Sequence, residues 1–287
     1  MNYKSQVNYE SQIIEDIYNG KPILKYAYLG DGAANFIRVI NGNQYYYFRS
    51  ELALIRANIA AIRHSFKDNI VVFGVGNGSK ISYLLTQEKK LILVDISAEL
   101  LRLAQERLSR SAVMINDSLE CIDFRRFRDN TTFLLFGGTL CNFETWSDIL
   151  TRLRGGCAKS NIIIGMEFGE EKNLQVGKKI LDGYISTEGE DFLFYPLSLL
   201  GLSRDDGNVE IIFNHILHRI EFYFTFNSKG RVTWSTIIGT EPPARVLLNV
   251  SNKPTREEFF QAVQRLGLRR GQLDCSMGEI SIIELCW

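Results

Sequence analysis

The chain has 287 residues, 45% of them hydrophobic, and its 33 lysine and arginine side chains balance 33 aspartates and glutamates. That length supports one large domain or two smaller ones around a substantial core, and a formal charge of zero argues against a nucleic-acid groove or an anionic membrane surface as the main partner. No apolar run approaches the ~20 residues that span a bilayer, residues 1–6 carry no apolar signal region, and the five cysteines include no C-x-x-C pair, so a reduced, cytoplasmic protein is expected.

In chain order, residues 10–19 read as a short helix closed by Gly20 and Pro22. An aromatic, glycine-rich stretch follows, Tyr26-Ala27-Tyr28-Leu29-Gly30-Asp31-Gly32, and then a helix over 33–40. Tyr45-Tyr46-Tyr47-Phe48 reads equally as a staple onto the core or as a pocket wall, because tyrosine has an apolar body and a polar tip. Residues 50–64 read as one helix leading into the stretch around which the chain is organised.

That stretch is 70–80. Residues 70–73 form a buried apolar strand, Gly74, Gly76 and Gly78 follow at once, and 80–87 starts a short helix. Strand, glycine turn and helix open a nucleotide-binding α/β domain. Glycines serve there because a Cβ would hold a ligand away from the backbone N–H groups. A second strand, 91–94, ends in Asp95, where such a fold places an acid on ribose hydroxyls. A third, 112–115, ends at Asn116-Asp117-Ser118, a fourth, 132–136, at Gly137-Gly138-Thr139, and a fifth, 161–166, at Glu167. Amphipathic helices over 98–110 and 144–154 lie between them. A G-x-G-x-G alone is weak evidence, since such glycines are often only tight turns. Acids at the next two strand ends strengthen it. Ser79 stands where a dinucleotide site has glycine, and an acid after each of strands two and three suits S-adenosylmethionine (SAM), with ribose on the first and the adenine amino group near the second.

Past residue 170 the character changes. Residues 178–184 look helical, and 192–202 reads as an apolar helix with Pro196 in its first turn. Residues 210–216, 219–226 and 231–238 read as strands, with Asn227-Ser228-Lys229-Gly230 as a hairpin turn. This block reads as an insertion carrying substrate contacts. Residues 255–266 return to an amphipathic helix, and 272–275 and 280–286 supply terminal strands. His215-x-x-His218 has metal-compatible spacing but no evident third ligand, so no metal is expected. Glu167 and Glu170-Glu171 read as a solvated loop, and Cys141 has no histidine partner for a nucleophile's role.

Several short stretches together resemble one family. They are Tyr28 with Gly32 and Phe36, Tyr45-Tyr46 before Arg49-x-Glu51, Gly74-x-Gly76 with Lys80, Gly137-Gly138-Thr139-Leu140-Cys141-Asn142-Phe143, and Asn249-Val250-Ser251-x-Lys253. On these the chain resembles the SAM-dependent histidine Nα-methyltransferases of ergothioneine biosynthesis, from about residue 28 to 287. The resemblance implies an α/β fold: a Rossmann-like class I SAM-dependent methyltransferase core, residues 49–174 and 252–287, with an inserted α+β substrate-binding domain, residues 1–48 and 175–251. It implies SAM as cofactor and a small-molecule amino acid as partner, histidine methylated on its α-amine one to three times. Another amino acid or small amine is the alternative, and a SAM-binding protein without turnover a third reading. A monomer without nucleic-acid or membrane partners is expected.

The resemblance also implies roles. Gly74, Gly76 and Lys80 would surround the methionine part of SAM, with Asp95 on the ribose and Asp117 and Ser118 near the adenine. Tyr28 would close over the sulfonium and is the candidate catalytic residue. Asn142 and Tyr184 would hold the substrate carboxylate, Gly137 and Thr139 would sit near the amine, and Tyr45, Phe222, Asn249 and Ser251 would face the side chain. Two departures bear on specificity: Asn249 stands where the family commonly has a glutamate, and Phe222 where it has a methionine. An amide can pair with a neutral imidazole but cannot favour the charged ring as a carboxylate would.

Overall fold

A computed structural model describes residues 9–42, 45–85, 89–109, 111–127, 130–156, 159–169 and 186–287. The helix expected over 178–184, and Tyr184 with it, lies outside the described residues. The chain begins with helices α1 (Tyr9–Tyr18), α2 (Gly32–Asn41), α3 (Tyr46–Ala57) and α4 (Ile59–His64). It continues through β1 (Asn69–Phe73), β2 (Lys90–Asp95), α5 (Ala98–Leu108), β3 (Val113–Asn116), β4 (Thr131–Leu135), α6 (Trp146–Gly156) and β5 (Asn161–Glu167). The last part comprises α7 (Thr187–Ser198), β6 (Gly207–Asn214), β7 (Arg219–Phe226), α8 (Ser228–Ile238), β8 (Val246–Asn252), α9 (Arg256–Arg265), β9 (Arg269–Met277) and β10 (Ile280–Cys286).

Seven strands form one sheet in the order β3-β2-β1-β4-β5-β10-β9. The first five are parallel, and β10 runs antiparallel to both β5 and β9. Parallel strands covered on both faces must be apolar on both faces, and the runs Ile70-Val71-Val72-Phe73 and Ile162-Ile163-Ile164 meet that demand. Successive residues point to opposite faces. Val71, Phe73, Phe133 and Ile162 join one core with Phe259 of α9, while Ile70, Val72, Leu134 and Ile163 join another with Leu54 and Ile55 of α3. A third core lies apart from the large sheet. Ile13, Phe192, Phe222, Phe224, Trp234 and Leu248 fill the space between the N-terminal helices, α7 and a three-stranded antiparallel sheet, β6-β7-β8.

Several elements differ from the sequence reading. Residues 231–238 are not a strand. They belong to α8, and the third strand of the small sheet is β8 instead. Asn227 is no turn residue but the helix cap, its side chain accepting from the Gly230 N–H at 2.9 Å. The helix expected over 50–64 breaks at Asn58, whose side-chain amide donates to the Leu54 carbonyl at 2.9 Å. Its first half starts earlier, at Tyr46, so the aromatic run forms its first turn. The helix α7 starts at Thr187, capped by the Ser186 hydroxyl, which accepts from Gly189 N–H at 3.0 Å. Pro196 therefore falls near its end rather than in its first turn. Of the helix expected over 80–87, the described residues 80–85 hold a single 3-10 turn, Ile81–Tyr83. Among the described residues no helix is long and apolar enough to cross a membrane.

Candidate active site

Because β1 to β5 are parallel, their carboxyl ends share one edge of the sheet, the edge where ligands bind in open α/β folds. A cavity of about 710 Å3 opens there, and the third core and its sheet add Tyr28, Phe36, Phe192, Asn249 and Ser251 to its lining.

One end of the cavity is built on the turns after β1, β2 and β3. Gly74 and Gly76 sit at φ +59° and +55°, which an L side chain rarely adopts. A Cβ on Gly74 would stand 2.6 Å from the Thr139 hydroxyl, so the loops after β1 and β4 meet here. Asp95 at the end of β2 is buried, accepting from Gly76 N–H and Ser97 N–H, each at 3.0 Å. Burial pushes its pKa up to about 6, against the pull of those backbone donors. Asp117 accepts from the Ser118 N–H at 2.8 Å, and both residues line the cavity. The Tyr28 ring meets Phe36 and Phe192 edge-on, with centroids 5.2 and 5.1 Å away, and the three make an aromatic wall. Lys80 lines the cavity and pairs with the carboxylate of Glu51.

The other end is built from the loop after β4 and from β8. Gly137, Thr139 and Asn142 line it, and the Thr139 hydroxyl donates to the Phe136 carbonyl at 2.7 Å. Asn252 donates through its side-chain amide to the carbonyls of Cys141 (3.0 Å) and Phe143 (2.6 Å), which pins the turn carrying Asn142. Tyr45, Asn249 and Ser251 face the same space. Phe222 does not join them. It stands opposite Asn249 in the β7–β8 pairing, fully buried in the third core, and is not among the lining residues.

Three charged or polar groups here were given no site role from the sequence, although Tyr46 lies in the run read equally as core staple or pocket wall. Glu167 is not solvated: it is 1% exposed, ion-paired with Lys253 at 2.9 Å, and accepts from the Tyr46 hydroxyl. All three line the cavity. Their signals were weak ones, a strand-end acid and two residues flanking better-marked neighbours. The His218 ring nitrogen lies 2.7 Å from Glu258, and His215 packs against the Phe213 ring. Among the described residues no group of three or more His, Cys, Asp or Glu could hold a metal.

These residues fit SAM part by part. The left-handed glycines leave a cradle at the cavity floor, Asp95 offers an acceptor for a diol, Lys80 a cation for a carboxylate, and the aromatic rings a face for a sulfonium. Strand order and closing antiparallel hairpin are those of the class I SAM-dependent methyltransferase fold.

The model of the family described as histidine-specific methyltransferase, SAM-dependent, matches residues 21–274, and the chain belongs to that family. No curated protein matches the chain. Among solved structures, it is similar to magnesium protoporphyrin IX methyltransferase from Synechocystis PCC 6803 with bound SAH: TM-score 0.54, 11% identity, covering 91% of this chain and 97% of that one. It is also similar to a protein of Pyrococcus horikoshii OT3, with TM-score 0.50, 12% identity, and 90% and 98% of the two chains covered. These likenesses are likenesses of fold.

Proposed function

We propose that this enzyme transfers methyl groups from SAM to the α-amine of L-histidine, adding one to three, as a cytoplasmic monomer acting on the free amino acid and not on nucleic acid or at a membrane. The observation that carries this reading is one continuous cavity. It joins Gly74, Gly76, Lys80 and Asp95 to a polar acceptor region, Asn142, Asn249 and Ser251, supplied from both layers of the fold. The third core, drawn from residues 13–39 and 192–248, supports a substrate-binding domain of 1–48 and 175–251 set on a core of 49–174 and 252–287.

Bound SAM supplies a methyl group already activated on a sulfonium. The protein's part is to hold a neutral amine in line with that methyl and to exclude water. Asp95 would hold the ribose hydroxyls, Gly74, Gly76 and Lys80 the methionine part, and Asp117 with Ser118 the adenine. Asn142 and Tyr184 would clamp the histidine carboxylate, with Gly137 and Thr139 beside the amine. Tyr45, Asn249 and Ser251 would face the imidazole, while Phe222 backs Asn249 from the core. Tyr28 would close over the sulfonium. An amine bound neutral needs no dedicated base; otherwise Tyr28 or a cavity water receives the proton.

The test is incubation with SAM and each proteinogenic amino acid, with products read by mass. Methylated histidine is expected. Methylation of another amino acid alone would move the enzyme to a different substrate, and binding of SAM with no product from any of them would refute turnover on free amino acids.

A further inference from the structure

Glu51 of α3 has no part in the roles given above, yet its carboxylate is fully buried. A buried carboxylate is costly unless it is paired and hydrogen-bonded. Here both oxygens accept from the Gly137 N–H, at 3.0 and 2.9 Å, one also takes the Lys80 ammonium, and the Tyr47 hydroxyl donates to the other at 3.3 Å. The large sheet makes room for it. A Cβ on Gly165, inside β5, would stand 1.8 Å from a Glu51 oxygen, so any side chain at 165 displaces the carboxylate. Lys80 is held close as well, its ammonium 4.8 Å from the Phe48 ring centre and 3.4 Å from where a Cβ on Gly137 would lie.

One carboxylate therefore ties the loop after β1 to the loop after β4. It does not line the cavity itself. We propose that Glu51 is a positioning residue that fixes the Lys80 ammonium and the Gly137 turn relative to each other, so that the cation of the cofactor end and the turn beside the amine are held as one unit. The proposal rests on the roles given to Lys80 and Gly137 above.

The experiment is calorimetry of S-adenosylhomocysteine binding to folded variants, with Tm measured alongside. Glu51→Gln keeps the shape and removes the charge that anchors Lys80. Gly165→Ala keeps the charge and displaces it. Each is expected to weaken binding about tenfold, the scale of one charge-assisted contact. Because both act on the same carboxylate, the double variant should bind within about twofold of the weaker single one, a failure of additivity expected of residues in contact. If Gly165→Ala does not fold, Glu51→Asp replaces it, withdrawing the charge by one methylene. Variants with a lower Tm and unchanged affinity would show a merely structural role and overturn the proposal. Lys80→Met separates the two claims. If it weakens binding while the Glu51 and Gly165 variants do not, only the Glu51 proposal falls; if it does not, the role of Lys80 fails and the proposal falls with it.

Discussion

Asp95 is asked to meet opposite electrostatic demands. Burial lifts its pKa to about 6, so the folded protein takes up a proton there more readily than the unfolded chain. The resulting stabilisation is fully present below the ordinary carboxylate pKa and is lost as pH rises through about 6. Ribose hydroxyls need the charged acceptor, so SAM affinity should change in the opposite sense. Calorimetry should show binding weakening as pH falls through about 6, and Asp95→Asn should bind more weakly at neutral pH with that pH dependence gone; a wild-type affinity flat from pH 5 to 8 would remove Asp95 from the ribose. Asn249 bears on the acceptor. A charge-assisted hydrogen bond is roughly twice as strong as a neutral one, so Asn249→Glu should raise kcat/KM for histidine. An unchanged value would take Asn249 away from the imidazole, and a sharp loss for histidine with activity kept on another amino acid would show a pocket shaped for a different side chain. Asp95 and Asp117 were legible because an apolar run ending in an acid marks a strand end. Glu51 and Lys253 were marked only as members of the family-like stretches and Glu167 read as solvated, as a charged residue does, so the partners of none of the three were legible. Only the fold brings Tyr46 to Glu167, or Glu51 beneath Gly137.

At the scale of elements, the parallel strands β1, β2, β4 and β5 could be read directly, since strands buried on both faces are uninterrupted apolar runs; β3, an exposed edge strand, was marked only by its short apolar run. The stretch after β7 could not. Val232, Trp234, Thr236 and Ile238 alternate as a strand would, but Trp234 is buried while Val232 is 68% exposed, so the alternation maps to no buried face. What decides for the helix is local. Asn227 caps it, and Gly230 lets the first turn lie against the Asp206 carbonyl, 1.8 Å from where a Cβ would be. An Asn–Ser–Lys–Gly sequence serves a hairpin turn or a cap equally well. Asn227→Ala should therefore cost about 0.5–2 kcal/mol in urea unfolding, with SAM affinity retained. A loss below about 0.2 kcal/mol would mean that tertiary packing alone holds α8.

Across the whole molecule, the acceptor end depends on a seam between the two layers. Asn252 closes β8 and reaches down to two carbonyls of the loop after β4. Without its amide those carbonyls lose their partner at about 1–3 kcal/mol each when buried, and Asn142 loses its support. Asn252→Ala should raise the KM for histidine about tenfold or more while SAM affinity stays within about twofold, because Glu51 and not Asn252 holds Gly137 and Lys80; a parallel fall in SAM affinity would show that the Asn142 turn and the cofactor end are coupled. The change of sequence character past residue 170 precedes the strands of the small sheet, but the seam was not legible, since it joins residues 109 and 111 positions apart. The position of the transferred methyl distinguishes methylation of the α-amine from methylation of the ring. Histidine incubated with enzyme and SAM carrying a 13C-methyl group, followed by NMR, locates it: transfer to the α-amine predicts a correlation between the new N-methyl and the histidine Cα, and a correlation to imidazole ring carbons in its place would contradict the account.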